Sequence, residues 1–193
     1  TEFLLKLRAR MPLALFDAQY QMDATRLGEG KIIHRDDLRY YDPGQLEELL
    51  KQCFIWQGVD LAIGQTKESA LFAHVTVGIH KVTEAIYVLD YYGGKITFYT
   101  QIEMIVERDD RYDPLRVGIE ANAYQAAMNQ AIVLNPKTRD VRTKAVYTDS
   151  SKETRAIKFS AFTERHEVYL PRDGSMQQLE DSVVGMPGSQ YKD

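Results

Sequence analysis

The amino-acid sequence predicts an α/β fold with a mixed central sheet, in which three antiparallel strands are followed by parallel strands and helices flank the sheet. Three segments of alternating apolar residues, Phe54–Asp60, Ser69–Ile79 and Ala85–Tyr91, are joined by short turns, as is typical of half-buried strands in a meander. A helical period from Phe98 to Val106 then leads to a fourth strand at Leu115–Glu120. A strand reached through a helix is normally parallel to the strand that it joins.

The remaining elements continue this alternation of helices and strands. Capping residues and apolar periodicity predict helices over Asn122–Leu134, Ser151–Phe162 and Met176–Val184. Short apolar runs predict strands at Val141–Tyr147 and His166–Leu170. The last third of the chain therefore adds both strands and flanking helices to the predicted sheet.

The first part of the chain differs in composition from the rest. We expect residues 1–53 to form an arm or linker and a lead-in helix that pack on a core of residues 54–193. A short strand is predicted at Lys31–His34, within a polar and turn-rich segment. Asp42 is a favoured N-cap and is followed by proline, so that a helix is predicted to begin there and to end near Cys53.

The composition excludes several classes of protein. Of the 193 residues, 44% are hydrophobic, which suffices for one sizeable core. No apolar run is long enough to cross a bilayer, and the first residues lack the order of a signal peptide. The single cysteine, Cys53, excludes an internal disulfide and is expected to be a buried thiol. We therefore expect a soluble cytoplasmic protein that is not secreted and does not contact a membrane.

Charge is distributed unevenly along the chain. The net charge is −4, which argues against a uniformly basic nucleic-acid binder, yet seven basic and only three acidic side chains lie between Lys137 and Lys158. Such a segment forms either a basic face for phosphate groups or an ordinary solvated face.

Two carboxylates end predicted strands that are expected to be neighbours. Asp60 closes the first strand and Glu120 closes the fourth. Each acid alone is equally well explained as a turn-capping or solvated residue. If the two strands are adjacent and parallel, however, both acids project from the carboxyl edge of the sheet, where open α/β sheets place their sites.

An ordered set of short motifs resembles the carboxyl-terminal nuclease domain of tailed-phage terminase large subunits, which belongs to the ribonuclease H-like superfamily. Besides the acid at the tip of the first strand, the set comprises Phe16–Gln21, the strand Val-Gly-Ile-Glu-Ala-Asn at 117–122, the helix start Ser-Lys-Glu-Thr-Arg at 151–155, and the closing segment Met186–Asp193. The resemblance extends over nearly the whole chain, and it implies a ribonuclease H-like mixed sheet.

The resemblance also implies which acids are catalytic. Asp60, Glu120 and Asp193 match the three carboxylates that would bind two divalent cations, Mg²⁺ or Mn²⁺, with Asp60 bridging both. Hard cations of this kind prefer oxygen ligands. Two ions roughly 4 Å apart can activate a water molecule and stabilise the leaving oxygen of a phosphodiester.

The third acid is open to an alternative. At the closing motif, Lys192 stands where the family often has an acid and Tyr191 where it often has histidine, which weakens the match of Asp193. The competing residue is Asp181, although the helical pattern places Glu180 and Asp181 on the solvent-facing side of the last helix.

The resemblance implies a function in viral genome packaging. It predicts an endonuclease that cleaves concatemeric double-stranded DNA in the host cytoplasm, together with the terminase ATPase domain, the small terminase subunit and the portal. Lys152, Arg155, Arg142 and Lys144 are expected to contact DNA. The sequence contains no phosphate-binding loop of the Gly-x-x-x-x-Gly-Lys-Ser/Thr type, so we expect no ATP site in this chain.

Two other functions are compatible with the same fold. One is a different ribonuclease H-like nuclease, such as a junction resolvase, and the other is a non-catalytic DNA-binding or docking module. The other conspicuous residues have simpler interpretations. Trp56 is predicted in the core, Tyr91–Gly94 as a strand end and turn, His74 and His80 as structural or exposed, and Glu68 as a solvated charge.

Overall fold

The computed structural model describes residues 2–9, 11–22, 32–61, 71–120 and 141–186. The strands in these ranges are β1 (Arg39–Tyr41), β2 (Cys53–Asp60), β3 (Phe72–His80), β4 (Ile86–Gly94), β5 (Arg116–Glu120), β6 (Thr143–Val146) and β7 (Val168–Pro171). The helices are α1 (Glu2–Arg8), α2 (Leu13–Tyr20), α3 (Leu46–Gln52), α4 (Phe98–Tyr112), α5 (Lys152–Glu164) and α6 (Gln177–Val184), and short 3₁₀ turns cover Arg35–Asp37 and Pro43–Gln45. None of these helices has the length and apolar character needed to span a bilayer.

The strands form one mixed sheet in the order β1-β7-β4-β3-β2-β5-β6. The pairs β2–β3 and β3–β4 are antiparallel, which confirms the predicted meander. The pairs β2–β5, β5–β6, β4–β7 and β1–β7 are parallel. The predicted parallel arrangement of the first and fourth strands of the core is therefore confirmed, and with it the mixed fold class.

Local sequence accounts for where the helices begin. The side chain of Asp42 accepts a hydrogen bond from the Gly44 amide, and α5 begins after Ser151, whose hydroxyl accepts from the Thr154 amide at 3.1 Å. Both are N-cap contacts that satisfy amides left without a partner in the first turn. The start of α5 is thereby fixed next to the carboxyl edge of the sheet.

Each face of the sheet has its own core. On one face, Val117 and Ile119 of β5 pack with Phe72 and with Ile105 of α4. On the other face, an apolar cluster joins β4 and β7 to residues before β1 and near α5 and α6; it comprises Leu38, Val88, Val168, Leu170 and Met176. Among the described helices, α4 thus packs on the first face, and α5 and α6 pack on the β4–β7 side of the second.

A polar layer is buried between the sheet and α4. His74 and Thr76 of β3 are 1% and 0% exposed, and among the described residues neither His74 ring nitrogen nor the Thr76 hydroxyl has a hydrogen-bond partner. Arg108 of α4 forms an ion pair with Asp90 at 2.6 Å. Burial and the nearby positive charge of Arg108 lower the pKa of His74 to about 3, so that the ring is neutral at physiological pH.

The N-terminal segment contributes a strand and buried side chains to the fold. The strand predicted at Lys31–His34 is wrong, because the described residues 32–34 do not pair with a strand. Instead, β1 forms the edge of the sheet beside β7, and Ile33 and Leu38 are buried. Helix α2 was not anticipated by the sequence pattern, because it lies in a segment identified only by a motif.

Three further interpretations need correction. Trp56 is 39% exposed, because the alternation of β2 turns Ile55 and Val59 inward and Trp56 to the opposite face. Tyr91–Gly94 was predicted as a strand end and turn; the strand end is confirmed, but the segment stays paired to the end of β4 and contains no turn. Glu180 is buried rather than on the solvent side of its helix. The helix predicted at Asn122–Leu134 lies outside the described residues.

Candidate active site

The two predicted acids lie side by side at the carboxyl edge of the sheet. Strands β2 and β5 are parallel and in register, with Val59 opposite Ile119, so that Asp60 and Glu120 follow as neighbours at the strand ends. Adjacent strands are about 4.8 Å apart, which places both carboxylates on the same face within reach of each other. Asp60 and Glu120 are called the acid pair below.

The electrostatics of Asp60 reflect this proximity. Partial burial, followed by the negative charge of Glu120 and a hydrogen bond with its carboxyl group, raises the pKa of Asp60. The positive charges of Lys152 and Arg155 act in the opposite direction. Close carboxylates disfavour the doubly ionised state, so that the acid pair favours a bound cation.

The first turns of α5 supply positive charge beside the acid pair. Arg155 donates to Glu120, with 3.3 Å between Nη1 and Oε1, and Lys152 is close enough to affect Asp60 electrostatically. The N-cap at Ser151 fixes the start of the helix. The acid pair is thus bordered by two cations that the sequence motif at 151–155 predicted to lie near DNA.

A cleft of about 890 Å³ contains the acid pair and extends over the sheet surface formed by β2, β5 and β6. We call it the open cleft; Asp60, Glu120, Arg155, Lys144, Arg116, Trp56, Tyr91, Tyr147 and Leu179 are among its lining residues. Its floor is the face of β2, β5 and β6 that none of the described helices covers. The acid pair therefore stands in a groove that is accessible to a large substrate.

The predicted DNA-binding residues are divided between two locations. Arg155 and Lys144 line the open cleft, and Lys152 lies near its acidic end. Arg142 instead forms an ion pair with Asp113 at the end of α4 and does not line the open cleft.

Of the two candidates for the third metal-binding acid, only Asp181 lies within the described residues. Asp193 and Glu68 lie outside them. The competing residue, Asp181, accepts from Arg35 at 2.7 Å and from Gln177 at 2.8 Å, and these contacts turn it toward Arg35 rather than toward the open cleft. In the described part of the chain, no cluster of three or more histidine, cysteine, aspartate or glutamate residues has the arrangement of a metal site.

Several lining residues were not identified from the sequence. Arg116, Trp56, Gly58 and Gly118 belong to the open cleft, and Trp56 had been assigned to the core. These residues could have been identified from the alternation of side chains along a strand, because every second residue lies on the same face. Counting back from Asp60 gives Gly58 and Trp56, whereas counting back from Glu120 gives Gly118 and Arg116.

Comparisons with known proteins support the fold. No family model matches the sequence, and no curated protein does either. Among solved structures, the chain is similar to the human cytomegalovirus terminase nuclease domain, with a TM-score of 0.58 and 12% identity over 83% of this chain and 88% of that one. It is also similar to the large terminase nuclease domain of bacteriophage SPP1, solved with bound Mn, with a TM-score of 0.53 and 12% identity over 77% of this chain and 78% of that one. The chain therefore has the ribonuclease H-like fold of the terminase nuclease domains.

Proposed function

We propose that this chain is the metal-dependent DNA endonuclease domain of a viral terminase large subunit and that it cleaves concatemeric genome DNA. One observation carries the proposal most directly. The acid pair, Asp60 and Glu120, stands on neighbouring parallel strands at one end of a cleft that is lined by basic side chains.

The acid pair suits divalent cations chemically. Asp60 and Glu120 offer hard oxygen donors, which Mg²⁺ and Mn²⁺ prefer. Burial and then repulsion from Glu120 raise the pKa of Asp60, and a bound cation would relieve that repulsion. Asp60, Glu120 and, by the family resemblance, Asp193 would hold two such ions. When bound, the ions would supply an activated water molecule and stabilisation of the leaving oxygen.

The protein groups around the acid pair would orient the DNA. Arg155 and Lys152 are close to the carboxylates and can neutralise phosphate oxygens next to the scissile bond. Lys144, farther along the open cleft, would hold the backbone away from the cut. Arg142 is tied to Asp113 and would contact DNA only after that ion pair opens.

The wider assignment follows from the same resemblance. The substrate is double-stranded DNA in the host cytoplasm, and the partners are the terminase ATPase domain, the small terminase subunit and the portal. Within this scheme residues 54–193 form the nuclease core, with residues 1–53 packed on it. The segment nevertheless supplies β1 to the same sheet, so that the two parts fold together.

Plasmid cleavage with the Asp60→Asn variant tests the proposal. The wild-type protein should nick and linearise supercoiled plasmid only with Mn²⁺ or Mg²⁺, and EDTA should stop the reaction. Asp60→Asn should remain folded but inactive, because the amide cannot replace the carboxylate as a ligand. Glu47→Asn, a change at an exposed acid on α3, is the matched control and should cleave normally. Metal-dependent cleavage by a folded Asp60→Asn protein would refute the assignment.

Cleavage assays with different DNA substrates distinguish a terminase nuclease from a junction resolvase. The protein should cut linear duplex DNA at least as fast as a four-way junction made of the same strands. A strong preference for the junction would indicate a resolvase instead.

A further inference from the structure

The open cleft continues from the acid pair back along β2 and β5 in a regular pattern. Two residues before each acid stands a glycine, Gly58 on β2 and Gly118 on β5, and these two are opposite each other in the strand register. Alternate residues share a face, so both glycines lie on the same face as the acids, about 6.6 Å away. The floor next to the acid pair therefore has no side chains.

Neighbouring side chains at the sides of the cleft leave little room for a side chain at Gly58 or Gly118. A Cβ atom on Gly118 would lie 3.0 Å from Cγ2 of Val146, and one on Gly58 would lie 3.3 Å from Cγ1 of Val75. The two valines form the sides of a shallow channel whose floor is backbone. Glycine within a strand often marks a close approach of another backbone or a ligand.

Two cations stand beside this channel at successive positions. Lys144 is the partner of Gly118 on β6, and Arg116 lies two residues before Gly118 on β5. Both side chains are exposed and line the open cleft. Arg116 is opposite Trp56 in the register, so that the indole, 39% exposed, offers an apolar surface next to the guanidinium.

Three groups therefore follow one another along this face of the sheet. The acid pair comes first, the backbone channel beside Lys144 is next, and Arg116 with Trp56 comes last. Lys144 and Arg116 lie on neighbouring strands, separated by about 6.6 Å along the strands and about 4.8 Å across them, which is comparable to one nucleotide step of an extended DNA strand. Cations at that interval match a row of phosphates, and a flat apolar ring suits a deoxyribose or base.

We propose that the open cleft binds the DNA strand on one side of the scissile phosphate, with Lys144 and Arg116 contacting the next phosphates and Trp56 packing against the nucleotide beside Arg116. The inference rests on the proposed nuclease function and extends it. Trp56, Arg116 and Lys144 all lie on the same side of the acid pair along the strands, so their contacts fall on one side of the cut. Arg116 and Trp56 thus set where the backbone enters the site.

Interference by neutralised phosphates tests the proposed contacts. The position of the cut in each product shows how far the neutral linkage lies from the scissile phosphate. Duplexes that each carry one uncharged methylphosphonate linkage at a random position are cleaved by the wild-type protein with Mn²⁺. Products should be depleted of molecules whose neutral linkage lies one or two steps from the cut, on one side. In Arg116→Gln, the depletion at one of these steps should disappear. Unchanged interference in Arg116→Gln would overturn the proposal.

Measurements of DNA binding test the proposed contacts independently of whether the protein is a nuclease. In the Asp60→Asn protein, which cannot cut, Arg116→Gln and Lys144→Gln should each weaken duplex binding about fivefold and lower the slope of log affinity against log salt by about one. Arg39→Gln is the matched control, since Arg39 is also a strand arginine that donates to the preceding carbonyl, as Arg116 does, but stands at the opposite edge of the sheet.

The outcomes distinguish the two hypotheses. If the wild-type protein fails to cleave DNA but Arg116→Gln weakens binding and Arg39→Gln does not, the cleft is a DNA-binding surface and only the nuclease assignment fails. If the protein cleaves DNA and Arg116→Gln binds and cleaves like the control, the proposed DNA path is wrong. In that case an acidic protein segment is the better candidate for the same cations.

Discussion

Arg155 of α5 donates to Glu120 of β5 across 3.3 Å, and both side chains are about one-third exposed (39% and 34%). The second acid of the pair is thus held by a cation that is anchored to a capped helix. The same guanidinium faces the open cleft. Arg155 therefore has two roles: its positive charge partly neutralises the acid pair, and its guanidinium is available to bind a phosphate.

Replacing Arg155 should separate these two roles. Arg155→Gln is expected to strengthen Mn²⁺ binding about two- to fivefold, because a competing positive charge is removed, and to weaken DNA binding about fivefold. Calorimetric titration with Mn²⁺ and fluorescence anisotropy with duplex DNA measure the two effects. Lys158→Gln, on the exposed side of the same helix, is the control and should change neither. Parallel losses of both affinities would contradict the shared role.

Metal binding should stabilise the fold through the acid pair. A ligand at about 100 times its dissociation constant adds roughly 2.7 kcal/mol to the free energy of unfolding, so Mn²⁺ should raise the melting temperature of the wild-type protein by several degrees. Asp60→Asn and Glu120→Gln should lose most of this rise, whereas Glu47→Gln on α3 should keep it. Thermal unfolding with and without EDTA provides the measurement. A full Mn²⁺ response in Glu120→Gln would remove that residue from the metal site.

The third metal ligand can be identified by a pair of substitutions. Asp181→Asn should cleave plasmid like the wild type, since Asp181 is held by Arg35 and Gln177 away from the open cleft. Asp193→Asn should abolish Mn²⁺-dependent cleavage if the family resemblance holds at the end of the chain. The reverse result, with Asp181→Asn inactive and Asp193→Asn active, would transfer the role to Asp181.

Acid should destabilise the protein through His74. The pKa of the folded state is about 3 instead of the ordinary 6.5, so between these values the unfolded chain binds a proton that the folded protein excludes. Stability is therefore complete above pH 6.5 and falls as the pH drops toward 3, by about 1.4 kcal/mol per pH unit from this residue. Urea unfolding at pH 7 and pH 5 should yield a smaller loss for His74→Gln than for the wild type.

A neighbouring substitution controls for simple repacking. Thr76 is also fully buried, and its hydroxyl has no partner among the described residues, but it does not titrate. Thr76→Val should shift the free energy of unfolding by a similar amount at both pH values. A pH dependence in Thr76→Val equal to that in His74→Gln would show that the effect does not arise from the histidine ring.

Much of the sheet could be predicted because the period of two is strong in β2 and β3. The parallel placement of β5 beside β2 followed from the intervening helix, and it brought Asp60 and Glu120 together as expected. The alternation does not state which face is covered, however. Trp56 was assigned to the core, whereas its face of β2 is left without a described helix because α5 and α6 pack on the β4–β7 side.

The errors near the N-terminus have a different cause. The strand β1 has only three residues, too few for a periodic signal, and it forms because β7 offers a free edge. Likewise, Glu180 was expected in solvent, but Arg35 and Tyr40 approach it from the distant N-terminal segment. Contacts between residues so far apart in sequence leave no local pattern.

The pairing of β1 with β7 sets a limit on how the protein can be shortened. A fragment that begins at residue 54 would lose β1 and the buried side chain of Leu38. The backbone of β7 would then become an open sheet edge, which invites pairing with other molecules. Expression of residues 54–193 alone should therefore yield aggregates, and a soluble fragment should begin well before Arg39.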